Sequence, residues 1–438
     1  MELLYQKTAL VSQKELQKTA VKLVPYIQKL RRVLKEDKYT VPESSINLPS
    51  DKKQLREVLE MKKKMVSRKL KYIIVIGIGG SNLGTKAVYD AMYSYSDVLA
   101  PRRFPKMFFA DTTDPEFLQA LCRFIELEIK HPEEVMMNIV TKSGTTIETV
   151  TNLEIILVAF RKKIKEIEKR IVVTTDRGSK LWKAAAGKKI KLLAVQPVVG
   201  GRYSIFSSVG LFPLAACGFN VSEFCAGAVK MGGKCLNSQP LKNPAAVSAS
   251  LLFLNLKNCK VINDNFLFSP ELESAGKWYR QLMGESMGKE KDLDGKTVHA
   301  GITPTVSIGS TDLHSVGQLY LGGPADKFTS FIYSSKISSK IKLPEKFFFP
   351  GLVNELKGKT AGEIMDAILR GVKIAYSNKK LPYMEIVLDG ISLHSLGEWF
   401  QYKMLEIMYL GMLMNVNPFD QPNVEAYKKE TRRILLSR

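Results

Sequence analysis

Thr141-Lys142-Ser143-Gly144-Thr145-Thr146 crowds four hydroxyls and an ammonium into six residues. The apolar run Val135–Val140 just before it reads as a buried strand. Apolar residues at helical spacing follow at Leu153, Ile156, Leu157 and Phe160. A strand that feeds a hydroxyl-rich loop at a helix start makes an anion site, because unpaired N–H groups and the positive end of the helix dipole face the ligand. Lys142 adds a full charge. The plainer account is a capping box made by Thr145 and Glu148. That explains two residues but neither the lysine nor the remaining hydroxyls, so the pattern is read as a pocket for a phosphate monoester.

Four other stretches carry chemistry-bearing residues. Gly77-Ile78-Gly79-Gly80-Ser81-Asn82-Leu83-Gly84-Thr85-Lys86 nearly fits two nucleotide motifs and fails both. A dinucleotide fingerprint needs glycine where Asn82 stands, and a P-loop needs Lys-Ser/Thr where the order is Thr85-Lys86. Its glycines let backbone approach a ligand closely, although a tight strand-to-helix turn accounts for them equally well. In Gly200-Gly201-Arg202-Tyr203-Ser204 the planar donors of Arg202 suit an enolate or carboxylate; an ordinary surface arginine is the alternative. In Trp278–Lys289, Gln281, Glu285 and Lys289 share one face of a continuous helix. The bland version is an exposed Glu–Lys pair worth little. Gly284 and Gly288 would each cost such a helix about 1 kcal/mol against alanine, which points to a close approach there. Of the four histidines, His314 and His394 lie in Leu-His-Ser segments near helix starts, and no pair has metal-ligand spacing, so no metal is expected.

These residues need a frame. Strand-like runs at Tyr72–Ile76, Lys106–Ala110, Val135–Val140, Ile171–Thr175 and Lys191–Val195 alternate with helical patterns, which predicts a doubly wound parallel sheet. After Phe219 the pattern resumes less clearly, with strands expected at Lys260–Asn263, Thr305–Ile308, Lys327–Tyr333 and Met384–Leu388. Residues Glu2–Leu34 read as one or two amphipathic helices. The predicted fold is α/β, with two αβα sandwich domains and a C-terminal helical arm. Its parts are 1–48 (helical segment), 49–218 (first domain), 219–415 (second domain) and 416–438 (arm).

The composition excludes several classes. The sequence has 438 residues, 45% of them apolar, five cysteines without C-x-x-C spacing, and a formal charge of +22. The cysteine usage suits a reducing compartment, and a cytoplasmic location is expected. The N-terminus shows no basic head before an apolar core. The apolar runs Ile205–Phe219 and Met404–Val416 are too short to span a bilayer and read as core helices. The charge suggests nucleic acid, but the lysines are scattered on solvated helix faces and no Arg-aromatic strip occurs. A positive field would instead steer an anionic substrate.

Taken together and in order, the motifs resemble the phosphoglucose isomerase family in its shorter bacterial form, over Gly77–Lys428. The resemblance implies sugar-isomerase (SIS-like) domains and interconversion of glucose 6-phosphate and fructose 6-phosphate through a cis-enediol, with no cofactor. It assigns the sugar loop to Gly79, Gly80 and Ser81, and the phosphate to Thr141, Lys142, Ser143 and Thr146. Arg202 would face the enediolate, Gln281 would contact substrate, and Glu285 would be the base. His314, supplied by the partner of a homodimer, and Lys428 would open the ring. Lys428 is selected over Lys429 by the segment Asp420–Lys428, which also brings Gln421 to the substrate. The family usually has asparagine where Met287 stands, which would remove an amide near the base, and often serine where Thr141 stands. The alternatives are a phosphosugar isomerase of other specificity and a non-catalytic sugar-phosphate sensor.

Overall fold

The computed structural model describes residues 1–93, 96–337 and 339–437. In chain order its strands are β1 (Glu2–Leu4), β2 (Tyr72–Ile76), β3 (Lys106–Ala110), β4 (Val135–Val140), β5 (Ile171–Asp176) and β6 (Lys191–Val195). They continue as β7 (Ile262–Leu267), β8 (Lys289–Lys291), β9 (Thr297–Ala300), β10 (Thr303–Ile308), β11 (Lys327–Ser334) and β12 (Tyr383–Leu388). Two five-stranded sheets result, ordered β3-β2-β4-β5-β6 and β1-β12-β11-β7-β10, and β8 with β9 forms a small hairpin.

The first sheet is parallel throughout. Its strands are apolar on both faces because both faces are covered. Ile73 and Val75 enter one core cluster, whereas Ile74 and Ile76 enter another with the helices Pro115–Glu128 and Ile147–Arg161. The single polar residue of β4, Asn138, is buried, and its amide nitrogen donates to the Val172 carbonyl at 3.1 Å and to Thr174 Oγ1 at 3.0 Å. The first core cluster also takes in Leu267, Phe328, Ile332 and Met384 of the second sheet, so the two sheets share one packed interior. The helices Ser208–Ala216, Glu273–Met287 and Leu393–Met414 lie in that interior. Among the described residues no helix is long and apolar enough to cross a membrane.

Two expectations are corrected. Glu2–Leu4 is not helical: it pairs antiparallel with β12 as an edge strand, Leu3 opposite Ile386. The helices begin only at Gln13. A lone three-residue strand carries no periodic signal, and its partner lies far away in the sequence. Second, β7 runs from Ile262 to Leu267, not from Lys260 to Asn263. Its centre, Asn263-Asp264-Asn265, is polar yet fully buried. Asn263 donates to the Phe328 carbonyl at 2.9 Å, and Asp264 accepts from Thr305 at 2.7 Å and Ser307 at 2.9 Å. Hydrogen bonds rather than apolar side chains make this strand tolerable inside.

Candidate active site

In the first sheet the chain leaves β2 toward β3 and later returns to β4 on the other side of β2. That reversal opens a crevice outside the carboxyl ends of β2 and β4, where sheets of this kind bind ligands. The loops that emerge there are Gly77–Ser81 and Thr141–Thr146.

The second loop differs from a capped helix start. The helix Ile147–Arg161 begins with Thr146 as its N-cap residue, not Thr145, and the Thr146 side chain makes no capping bond. Thr146 Oγ1 lies instead 3.0 Å from Thr141 Oγ1. Ser143 Oγ accepts from the Thr145 N–H at 3.3 Å. The first helical backbone bond runs from Val150 N–H to the Thr146 carbonyl, so the N–H groups of Ile147, Glu148 and Thr149 precede the ladder and point out of the helix start. Lys142 and Ser143 are exposed. The capping-box account of Thr145 and Glu148 therefore fails, and the hydroxyls are gathered at an open helix start, a geometry that can accept an anion.

The glycine loop is explained by its neighbour. Gly79, Gly80 and Ser81 form a single 3-10 turn. A Cβ on Gly80 would fall 2.3 Å from the Gly201 carbonyl carbon, so the two glycine loops meet backbone to backbone. Gly79 has φ +59°, and a Cβ there would come within 2.8 Å of Gln281 Nε2. Lys86, which would have served a P-loop, turns away to Asp90 at 2.8 Å.

Arg202 is no surface arginine: it is 4% exposed and its five N–H donors meet five acceptors. Nε donates to Ser286 Oγ at 3.2 Å. Nη1 donates to Glu285 Oε2 at 2.6 Å and to Gln421 Oε1 at 2.7 Å. Nη2 donates to the carbonyls of Pro418 at 3.2 Å and Asp420 at 3.1 Å. The other oxygen of Glu285 accepts from Gln281 Nε2 at 3.1 Å, while Gln281 Oε1 is buried without a partner. The Glu285 side chain keeps 32% of its surface open. Beneath the guanidinium, the Tyr203 hydroxyl donates to the Pro418 carbonyl at 3.3 Å, and burial pushes its pKa up to about 12.

One helix supplies both Gln281 and Glu285, as their spacing predicts, but it ends at Met287. Lys289 is therefore not on a shared helical face and is not an exposed partner of the Glu285 carboxylate; it starts β8 and is 6% exposed. Met287 is fully buried in the main core cluster, so the polar partners of Glu285 come from Arg202 and Gln281.

Two expected residues stand apart. His314 is exposed at the end of the 3-10 turn Thr311–His314, after β10 of the second sheet. Lys428 lies on the exposed helix Glu425–Leu436 and pairs with Glu425 at 2.7 Å. Neither contributes a hydrogen bond to the Arg202–Glu285 cluster among the described residues. The residues that sequence reasoning missed are Ser286 and the Pro418 and Asp420 carbonyls. Main-chain acceptors leave no sequence signal beyond the two prolines, Pro418 and Pro422, that bend the arm.

A model of the family described as phosphoglucose isomerase matches residues 17–437. The chain belongs to that family. Phosphoglucose isomerase family relatives cover most of it. A glucose-6-phosphate isomerase of Carboxydothermus hydrogenoformans is 33% identical over 386 residues, 86% of this chain and 82% of that protein. One from Methanocaldococcus jannaschii is 32% identical over 363 residues, 83% of this chain and 84% of that protein. Among solved structures, a hypothetical protein from Thermus thermophilus superimposes with a TM-score of 0.85 at 28% identity, covering 99% of each chain. A glucose-6-phosphate isomerase from Chlamydia trachomatis shares the fold, with a TM-score of 0.79 at 21% identity, covering 99% of this chain and 88% of that one.

Proposed function

We propose that this chain interconverts glucose 6-phosphate and fructose 6-phosphate, and that the observation carrying this reading is the Arg202–Glu285 pair seated beside the hydroxyl-rich loop of β4. The loop Thr141–Thr146 takes the 6-phosphate through its helix-start N–H groups, the hydroxyls of Thr141, Ser143 and Thr146, and Lys142. Anchoring at this end holds the sugar while its other end reacts. Gly79, Gly80 and Ser81 give backbone access to the ring. The unpartnered acceptor Gln281 Oε1 suits a sugar hydroxyl.

Once the ring is open, Glu285 takes the proton from C2 and returns it to C1, while a second proton passes from O2 to O1. Between these steps an enediol carries charge on O1 and O2, and the permanently cationic Arg202 stabilises it. All five donors of Arg202 are engaged before substrate arrives, so an enediolate oxygen gains a direct bond only by displacing Glu285 or Gln421 from Nη1. Where Glu285 is the group displaced, substrate binding frees the base from its ion pair.

Ring opening falls to His314 and Lys428. The exposed position of His314, without a hydrogen bond to the Arg202–Glu285 cluster among the described residues, favours an active site completed by the His314 of a second copy, and hence a homodimer; a cytoplasmic location belongs to the same reading. In the proposed division, residues 49–218 supply the phosphate and sugar loops, 219–415 the base and the histidine, and 416–438 Gln421 and Lys428.

The test is turnover of fructose 6-phosphate with EDTA present, read through a coupled glucose-6-phosphate dehydrogenase. Turnover in the wild type that Glu285→Gln abolishes supports the reading. Saturable sugar-phosphate binding without turnover sinks it in favour of a sensor, and preferred use of mannose 6-phosphate replaces the substrate.

A further inference from the structure

Lys289 has no part in the chemistry described above, yet it is a buried ammonium with unusual partners. Its Nζ donates to the carbonyl of Glu285 at 2.6 Å and to the carbonyl of Asp420 at 2.9 Å, and the Asp420 carboxylate lies 3.5 Å away. Asp420 thus offers one carbonyl oxygen to two cations, Lys289 and Arg202. Burial draws the Lys289 pKa below its ordinary value, Asp420 opposes this, and Arg202 lowers it further. Two like charges brought together in a dry place are costly, and an apolar side chain would avoid that cost. What the ammonium gains is a bridge: it ties the main chain of the base to the main chain of the C-terminal arm.

This main-chain bridge adds to the bonds that Arg202 makes to the Pro418 and Asp420 carbonyls and to Gln421. Beside the arm lies an open pocket of about 460 Å³ whose lining includes Tyr26, Met412, Val416, Pro418 and Phe419. Beyond Asp420 come Gln421, bonded to Arg202 at 2.7 Å, and the helix that carries Lys428.

We propose that Lys289 is a positioning residue that latches the C-terminal arm to the end of the helix bearing Glu285, and so sets Gln421 against Arg202. The proposal rests on the isomerase reading for its kinetic arm only. With fructose 6-phosphate, Lys289→Met lowers kcat by about tenfold or more and leaves KM within about twofold, because the phosphate loop is untouched. Lys289→Arg, which keeps a cation and several donors, restores most of the loss. Amide hydrogen exchange in residues 416–428 of the full-length protein rises in Lys289→Met and not in Lys289→Arg, while exchange in β2 and β4 stays unchanged. Should Lys289→Met not fold, Lys289→Gln carries the same measurements. Wild-type kcat together with wild-type exchange in the arm overturns the latch, as does a loss that Lys289→Arg fails to restore. A wild-type protein without turnover overturns the isomerase reading alone, and exchange in the arm still decides the latch.

Discussion

The hydroxyl-rich loop after β4, which we propose takes the phosphate, and the Arg202 cluster handle charge in opposite ways. Thr141–Thr146 is six consecutive residues, with an exposed ammonium and hydroxyls that bond mainly to one another. Its binding groups stand ready, and little must be broken for a phosphate to enter. The cluster draws on residues 202, 281, 285, 286, 418, 420 and 421, and every donor of its arginine is taken. A ligand entering there must exchange bonds with the protein. In the proposed reaction the first region holds the substrate equally well throughout. The second is preorganised, and its bonds change as charge develops.

That contrast predicts which kinetic constant each region controls. The largest effect belongs to Arg202→Lys, which keeps the charge but leaves five acceptors to at most three donors. Turnover should fall about 10³-fold with the fold retained by circular dichroism, and a loss under about tenfold would remove Arg202 from the chemistry. Glu285→Gln comes next, with an expected loss in kcat of about 10²-fold or more. Near-normal turnover in that variant would refute the base assignment. Lys142→Ala should act on the other constant, raising KM about tenfold with kcat nearly unchanged. A fall in kcat with steady KM would erase the distinction between the two regions. Smallest is Ser286→Ala, which deletes one neutral acceptor of Arg202 and should cost about 1 kcal/mol, a roughly fivefold drop in kcat/KM.

Legibility followed the range of the contacts. β4, the helix after it and the hydroxyl loop between them were readable because strand, loop and helix are consecutive and each has a local pattern. The five strands of the first sheet were readable for the same reason, since burial on both faces makes each a continuous apolar run. β7 was misplaced because its buried centre is Asn263-Asp264-Asn265, made tolerable by partners on β10 and β11. β1 was missed because only β12 gives it a reason to be extended. For Gly80 a turn and a close approach to ligand were equally open in the sequence, and its contact with the Gly201 backbone had no signal there. Lys289 looked like the third member of a helical stripe until Gly288 ended the helix. His314 and Lys428 entered through family resemblance, and among the described residues neither makes a hydrogen bond to the Arg202–Glu285 cluster.

The sequence by itself determined the parallel sheet of the first half, the hydroxyl-rich loop at the start of the helix Ile147–Arg161, and the pairing of Gln281 with Glu285 one turn apart. Each depends on side-chain type and spacing within about a dozen residues, which backbone periodicity alone converts into geometry. Only the tertiary structure decided that Arg202 is buried and saturated, that the arm at Pro418–Gln421 closes over it, and that Lys289 holds that arm. Those contacts join residues as much as 219 positions apart. Their acceptors are largely main-chain carbonyls, which every residue possesses, so no pattern of side chains could announce them.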